Sequence, residues 1–306
     1  MRYRPDMTDE TDALSSILNR LRLTAGLFTE ATFCGAWAVD TSGARMATFH
    51  LIQSGDSWLQ LDGEEPRRLR PGDFVLFPRD AKHLITSSEK LPKSVIVNEY
   101  PALEPELPTT EMLCGYFEFR SRMVWPILDS LPEVLVIDLH QSPLNETRAL
   151  LQLLLNEAKG GQPGRSAVID LLVEVLFVHA LRCHIASGTS AGLLKLFAEP
   201  RLGSALNCIH AEPGRGWSVA SLADVAGMSR ASFSQKFKDA VNDTPMNYLG
   251  KWRMQVAIEA LTTTEQSVAQ IADDVGYGSE AAFRHAFRNI VGATPGDVRR
   301  QHANTG

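Results

Sequence analysis

The chain has 306 residues, 44% of them hydrophobic and 22% charged, with a net charge of −6 and four cysteines. That length points to two or three domains rather than one core, and the composition excludes a disordered chain. No apolar run approaches the ~18 residues a membrane helix needs, and four scattered cysteines without a CxxC pair exclude a secreted disulfide framework.

The opening stretch, "MRYRPDMTDETDALSS", lacks the apolar middle of a secretion signal, so a cytoplasmic protein is expected. Charge is uneven along the chain. Residues 1–198 hold 19 Lys/Arg against 25 Asp/Glu, whereas residues 199–306 hold 11 against 11. The average argues against a nucleic-acid binder, but DNA needs only a local positive face.

From about residue 33 to 120 the texture is that of strands. "RMATFHLIQSG", "DSWLQLDG", "DFVLFP", "SVIVNEY" and "LCGYFEF" are short runs rich in Val, Ile, Phe and Trp. The turn-forming stretches "SGD", "DGEEP", "RPGD" and "PRDAK" separate them at barrel or sandwich spacing. Between 146 and 185 leucines and valines recur at three- and four-residue steps, which predicts two helices broken by Gly-Gly-Gln-Pro-Gly. "ASGTSAG", 186–192, is small and flexible and makes the best domain boundary. This gives a plan of an N-terminal β-rich domain at 1–145, a helical bridge and linker at 146–192, and an all-α domain at 193–306.

In "SVASLADVAGMSRASFSQKFKDA", Ser218 can cap a helix carrying Leu222, Ala223 and Val225, and Gly227 allows a left-handed turn. Ser229 can cap the next helix, on which Phe233 and Phe237 lie one turn apart on the buried side. Helix, tight glycine turn and helix make a helix-turn-helix, whose second helix presents small polar side chains suited to a DNA major groove. The pattern repeats. Phe233, Phe237, Thr244 and Pro245 recur at an offset of 50 as Phe283, Phe287, Thr294 and Pro295. Leu222, Ala223 and Gly227 recur at an offset of 49 as Ile271, Ala272 and Gly276, and Ser267 with Gln270 can form a capping box. Between the copies, Thr244 caps and Pro245 starts a helix through about Thr262, with Leu249, Trp252 and Val256 inward. Such a rod is roughly 27 Å long, against about 34 Å between consecutive major-groove faces. One chain can therefore offer two reading helices to adjacent grooves. The alternative is a plain helical bundle, which the matched caps of two copies disfavour.

"WSVASLADVAGMSRASFSQKF", "YLGKWRMQVA", "SVAQIADDVGYGSEAAFRHAF" and "GATPGDVRR" resemble the AraC/XylS family of bacterial transcription regulators over about residues 198–301. The resemblance implies a bipartite seven-helix DNA-binding domain, with base-reading positions at Arg230, Ala231, Ser234 and Gln235, and at Glu280, Ala281, Arg284 and His285. Ser229 opens the first reading helix. Ala231 stands where some members present a large side chain, which leaves at most a methyl contact to thymine. Asn242 replaces the usual glycine. Lys236, Lys251 and Arg253 are candidates for backbone phosphates, or else solvated charges.

"FHLIQSG…WLQLDG…LRPGDFVLFPRDAKH" resembles the cupin-type sensor domain of one branch of the same regulators. The resemblance implies a β-barrel that binds an effector. Gly72, Pro78 and His83 follow the second cupin motif, with Asp80 and Ser87 replacing its usual glycine and Asn. The first motif, two histidines one residue apart and then a glutamate, is reduced to His50, which disfavours a catalytic iron or manganese centre. Cys34, His50, His83 and Cys114 each lie on or beside an expected strand. Together they could hold zinc or another transition metal, or the two cysteines could form a redox pair. The alternative is four structural residues. "DGEEP" and Asp273–Asp274 read as turn and surface charge, and no Gly-rich phosphate loop, GxSxG or HExxH occurs.

The expectation is an α+β multidomain chain: a cupin-like β-barrel with following helices, then an all-α double helix-turn-helix domain. Its function would be sequence-specific regulation of transcription on double-stranded promoter DNA, with RNA polymerase as a partner. A small-molecule, metal or redox signal would act on the barrel, and the apolar helix at 167–185 could support a homodimer. The rival is a cupin-type metal-dependent enzyme with a helical appendage.

Overall fold

The computed structural model describes residues 12–21, 23–99, 103–104, 106–119, 125–139 and 145–303. The opening stretch read for a leader lies outside them up to residue 11. Contacts divide the chain into two compact units, Leu21–Ser190 and Ala191–Gly306 with the chain up to Arg20. The division falls inside the small-residue segment 186–192.

The first unit holds β1 (Leu23–Cys34), β2 (Ala38–Val39), β3 (Ala47–Ser54), β4 (Ser57–Leu61), β5 (Arg67–Leu69), β6 (Asp73–Phe77), β7 (His83–Thr86), β8 (Thr109–Phe119) and β9 (Leu135–Asp138). They form two antiparallel sheets, one in the order β1-β8-β3-β6-β9 and one in the order β2-β7-β4-β5. Both sheets feed one core: Phe33, Ile52, Val75, Phe77 and Met112 from the first meet Val39, Leu59, Leu69 and Ile85 from the second. Side chains alternate across a strand, so on β3 Thr48, His50 and Ile52 share the inner face while Phe49 and Leu51 point outward. The outer face is buried too, with Phe49, Leu51, Phe74 and Phe117 at 0–1% exposure. Each such side chain contributes about 1.5–3 kcal/mol by leaving water.

That outer face needs a cover, and helices supply it. After α2 (Trp125–Leu128) come α3 (Asn145–Lys159) and α4 (Arg165–Ala186). Phe177 of α4 packs its ring 4.9 Å from that of Phe117 and 5.5 Å from that of Phe119. Arg165 pairs with Glu30 of β1, and Thr147 Oγ1 lies 2.9 Å from His179 Nδ1, tying α3 to α4. The two helices expected to bridge the domains are thus grouped by contact with the sheets.

The strand texture runs wider than its expected bounds, from Leu23 to Asp138. One expected strand, "SVIVNEY", is absent among the described residues, 94–99. In this stretch two amides close turns, Val95 donating to Pro92 O at 3.1 Å and Glu99 to Ile96 O at 3.2 Å, while Asn98 N donates across to Ala38 O of β2 at 2.9 Å. Asn98 has φ 62°, and Ile96 is 59% exposed. β-Branched composition alone does not make a strand when the backbone is held in turns.

The second unit holds α1 (Ala13–Leu21) and eight further helices: α5 (Gly192–Ala198), α6 (Pro200–Ala211), α7 (Val219–Val225), α8 (Arg230–Val241), α9 (Pro245–Thr263), α10 (Val268–Asp274), α11 (Glu280–Val291) and α12 (Pro295–Ala303). Among the described residues no helix is long and apolar enough to cross a membrane. The chain is a mixed α+β protein, a sheet-rich domain followed by a helical one.

Candidate nucleic-acid interface

Two helix pairs, α7–α8 and α10–α11, stand on either side of the rod α9. The same local chemistry builds both. Ser218 Oγ accepts from Ser221 N at 3.1 Å while Ser221 Oγ accepts from Ser218 N at 2.9 Å, and Ser267 and Gln270 form the matching box. Gly227, at φ 60°, turns the chain, and Met228 N closes the turn on Ala223 O at 2.9 Å. Tyr277 N does the same on Ala272 O, also at 2.9 Å. The second helix of each pair is capped by Ser229 or Ser279, whose hydroxyls accept from Ser232 N and Ala282 N, each at 3.2 Å. Asn242 ends α8 at φ 51° where Gly292 ends α11 at φ 79°. The asparagine thus adopts the left-handed conformation that the usual glycine would.

Burial orients the pairs. Leu222, Ala223, Phe233 and Phe237 are at 0% exposure, and Ile271, Ala272, Phe283 and Phe287 at 0–1%. The rod buries Leu249 and Trp252, and it packs Met254 and Ala257 against the second pair, with Val256 half-buried beside them. Val225 is 41% exposed at the end of α7. With the phenylalanines fixed inward, Ser229, Arg230, Ala231, Gln235 and Lys236 are exposed on α8 and at its cap, with Ser234 half-buried. On α11, Ala281, Arg284 and His285 are exposed and Glu280 is half-buried.

The exposed side chains are held by neighbours. Gln235 donates to Asp239 Oδ1 at 2.7 Å, Lys236 to Glu199 Oε1 at 2.8 Å, and Lys251 to Asp243 Oδ2 at 2.8 Å. On α11, Arg284 donates to Glu280 Oε1 at 2.7 Å and Asn289 Nδ2 donates to His285 Nε2 at 3.0 Å. Surface pairs of this kind are worth about 0.2–1 kcal/mol, so an approaching phosphate or base edge can displace them. The Arg230 side chain makes no hydrogen bond or ion pair among the described residues. Arg253 is placed differently from the sequence expectation: its guanidinium is bound to three backbone carbonyls. Sequence reading missed Asp239, Glu199 and Asn289 as holders of the reading face; for Asp239 and Asn289 the four-residue spacing was the available signal.

In the sheet-rich unit the four residues considered for metal or redox chemistry separate into three and one. His50 Nδ1 lies 3.1 Å from Cys114 Sγ, and His50 Nε2 lies 3.2 Å from His83 Nε2. Thr41 Oγ1 lies 3.2 and 3.1 Å from the two Nε2 atoms. His83 Nδ1–H donates to Ala81 O at 2.7 Å, which leaves its Nε2 as an acceptor. Burial holds both imidazoles below their ordinary pKa, His50 well below with His83 adding to it, and pushes the Cys114 thiol up to about 12. The thiol therefore keeps its proton. A neutral chain satisfies every group: Cys114 S–H to His50 Nδ1, His50 Nε2–H to His83 Nε2, His83 Nδ1–H to the Ala81 carbonyl. Cys34 stands apart, its sulfur accepting from Glu104 N at 3.4 Å. In the β1–β8 register Cys114 faces Thr29 and Cys34 faces Thr109, so the two cysteines are offset by five residues, about 17 Å at strand rise. A disulfide needs Cα atoms within about 7 Å. The pair does not meet that, and the four donors do not converge as a zinc set. Among the described residues no group of three or more His, Cys, Asp or Glu is arranged to hold a metal ion.

A cleft of about 210 Å³ opens between β4 and β9, with Leu59, Leu61, Val134 and Val136 in its wall and Glu64, Glu65, Arg67 and Glu133 around it.

Two capped helix-turn-helix units with exposed polar second helices, preceded by a barrel-like double sheet, define a DNA-binding transcriptional regulator with a cupin domain. Residues 12–186 match the cupin family model and residues 222–301 a helix-turn-helix domain model. The chain is 31% identical to an AraC-like transcription regulator of Streptomyces lividans, over 94% of this chain and 98% of that one. It is 31% identical to the HTH-type transcriptional regulator AlkR of Acinetobacter baylyi, over 95% and 99%. To the RCS-specific HTH-type transcriptional activator RclR of Escherichia coli it is also 31% identical, over 95% and 98%. The chain belongs to the AraC family of transcriptional regulators, with double-stranded DNA as its partner.

Proposed function

We propose that this regulator reads two adjacent major grooves with α8 and α11 and is switched by a small molecule taken up by the cupin domain. The observation that carries the reading is the duplication: both pairs bury their phenylalanines completely and turn a small, polar face outward. Arg230, Ala231, Ser234 and Gln235 address one box of the operator, and Glu280, Ala281, Arg284 and His285 the other, with Ser229 and Lys236 toward the phosphates. A small molecule is favoured over metal or oxidant because the donor set does not converge and the two cysteines lie too far apart to couple. The cleft between β4 and β9, apolar in its wall and charged around it, is the docking place we assign. Signal binding then shifts the population of DNA-competent arrangements.

The protein works in the cytoplasm, where DNA and RNA polymerase are, and it acts on transcription rather than as an enzyme. Leu153 of α3 and Val168, Leu171 and Val175 of α4 are 39–62% exposed. The last three recur at helical spacing and form the face on which two copies would pair, engaging two operators with a gain in effective concentration. In vitro selection from a random duplex library, repeated at several salt concentrations, tests the DNA reading. A bipartite consensus whose log affinity falls linearly with log salt is expected; recovery of no sequence preference at any salt would reject it.

A further inference from the structure

Arg253 lies midway along α9, and its guanidinium sits among backbone carbonyls of two other segments. Its Nε donates to Pro213 O at 2.8 Å, its Nη2 to Arg215 O at 2.9 Å and its Nη1 to Gly276 O at 3.3 Å. The guanidinium carbon sits 5.7 Å from the centre of the Tyr277 ring. The first two carbonyls belong to the loop that leads into α7; the third belongs to the turn between α10 and α11. One side chain on the rod therefore grips both helix-turn-helix units.

The two gripped segments also touch directly. A Cβ at Gly214 would overlap the carbonyl of Asp274, and one at Gly276 would overlap the carbonyl of Gly214. Gly276 has φ 79° as well, so two glycines let the loop and the turn meet backbone to backbone. The loop is stiff in its own right. Trp217 Nε1 donates to Glu212 O at 2.9 Å, Trp217 N to Arg215 O at 2.7 Å, and the Arg215 guanidinium lies 4.3 Å above the Trp217 ring. The next residue is Ser218, the cap of α7.

A rod fixes the distance between two probes, but it leaves their relative twist to the joints at its ends. We infer that Arg253 is a positioning residue: by holding carbonyls of both units it sets the angle between α8 and α11, and with it the operator spacing that the chain accepts. This rests on the DNA reading proposed above, but the clamp itself can be tested without DNA.

Amide hydrogen exchange on the full chain compares wild type with R253A and R253Q. Exchange at residues 212–217 and 274–278 is expected to rise at least tenfold in both variants, with the cores of α8 and α11 unchanged. Unchanged exchange at those segments would overturn the clamp whatever the DNA result. The functional readout uses the duplex that wild type selects, the same duplex with two base pairs inserted between its boxes, and each box alone. Two extra pairs turn the second box by roughly 70° about the duplex axis. Wild type is expected to lose at least tenfold in affinity on insertion. R253A is expected to match wild type on each single box within about twofold, to bind the native spacing about tenfold more weakly, and to lose less than threefold on insertion. R253Q, which keeps one carbonyl contact, should fall between and guards against loss of fold in the alanine variant. A uniform fall on single boxes with a salt slope reduced by about one would instead make Arg253 a phosphate contact and refute the inference. A wild type that selects no duplex would defeat the DNA reading and leave exchange to decide the clamp.

Discussion

The two helix-turn-helix units share a scaffold and differ in their faces. Each has a serine-led capping box, a left-handed glycine in its turn, two phenylalanines buried one turn apart and a threonine cap on the helix that follows. Their outward faces diverge: Arg230 in the first stands unengaged among the described residues, whereas Arg284 in the second is paired with Glu280 on its own helix. The scaffold obeys local rules that admit few residue types. The reading face obeys only the sequence it must recognise, so it is free to vary. Affinity should therefore come mainly from the first unit, and the second should act chiefly on discrimination.

The strongest test of shared scaffolding is in the cores. Phe233→Ala and Phe283→Ala should each cost about 3–5 kcal/mol of stability, equal within error in chemical denaturation. A large inequality would mean that one pair is not packed as the other. The asymmetry of the faces predicts that Arg230→Ala weakens operator binding by about 1–3 kcal/mol, while Arg284→Ala costs under about 1 kcal/mol because its ion pair with Glu280 must be given up on binding. Glu280→Gln should strengthen binding, most at low salt. Equal losses for the two arginines in a titration would erase the asymmetry. Gln235→Ala should relax preference at one base position by about 1–3 kcal/mol; an unchanged ratio between operator and scrambled duplex would remove Gln235 from the reading set. Smallest of all, Ser218→Ala and Ser267→Ala should each cost about 1 kcal/mol in thermal melting, alike in the two units.

The same contrast explains what the sequence made legible. Caps, turns and one-turn phenylalanine pairs are set within a dozen residues, so the helical unit could be drawn from its repeat almost to the residue, with α9 ending at Thr263 against an expected Thr262. Strand pairing is not local. Nothing in "SVIVNEY" shows that Asn98 will bind back to Asp40 and hold the segment in turns. Likewise, the offset of Cys34 from Cys114 is fixed only by the register of β1 on β8. Cys34, His50, His83 and Cys114 could each be assigned to a strand or its edge, but which of them meet, and through which atoms, depended on sheet order and register. Arg253 was read as a candidate phosphate contact or else a solvated charge, since its partners are carbonyls 40, 38 and 23 residues away, and carbonyls carry no sequence signal.

Hydroxyl-radical footprinting of the selected duplex by the full chain probes the central claim most directly. Two protected patches about 10–11 base pairs apart on one side of the DNA, both lost together as salt rises, are the predicted outcome. A lone patch, or two on opposite sides of the duplex, would contradict the claim that α8 and α11 are presented as one body to consecutive grooves.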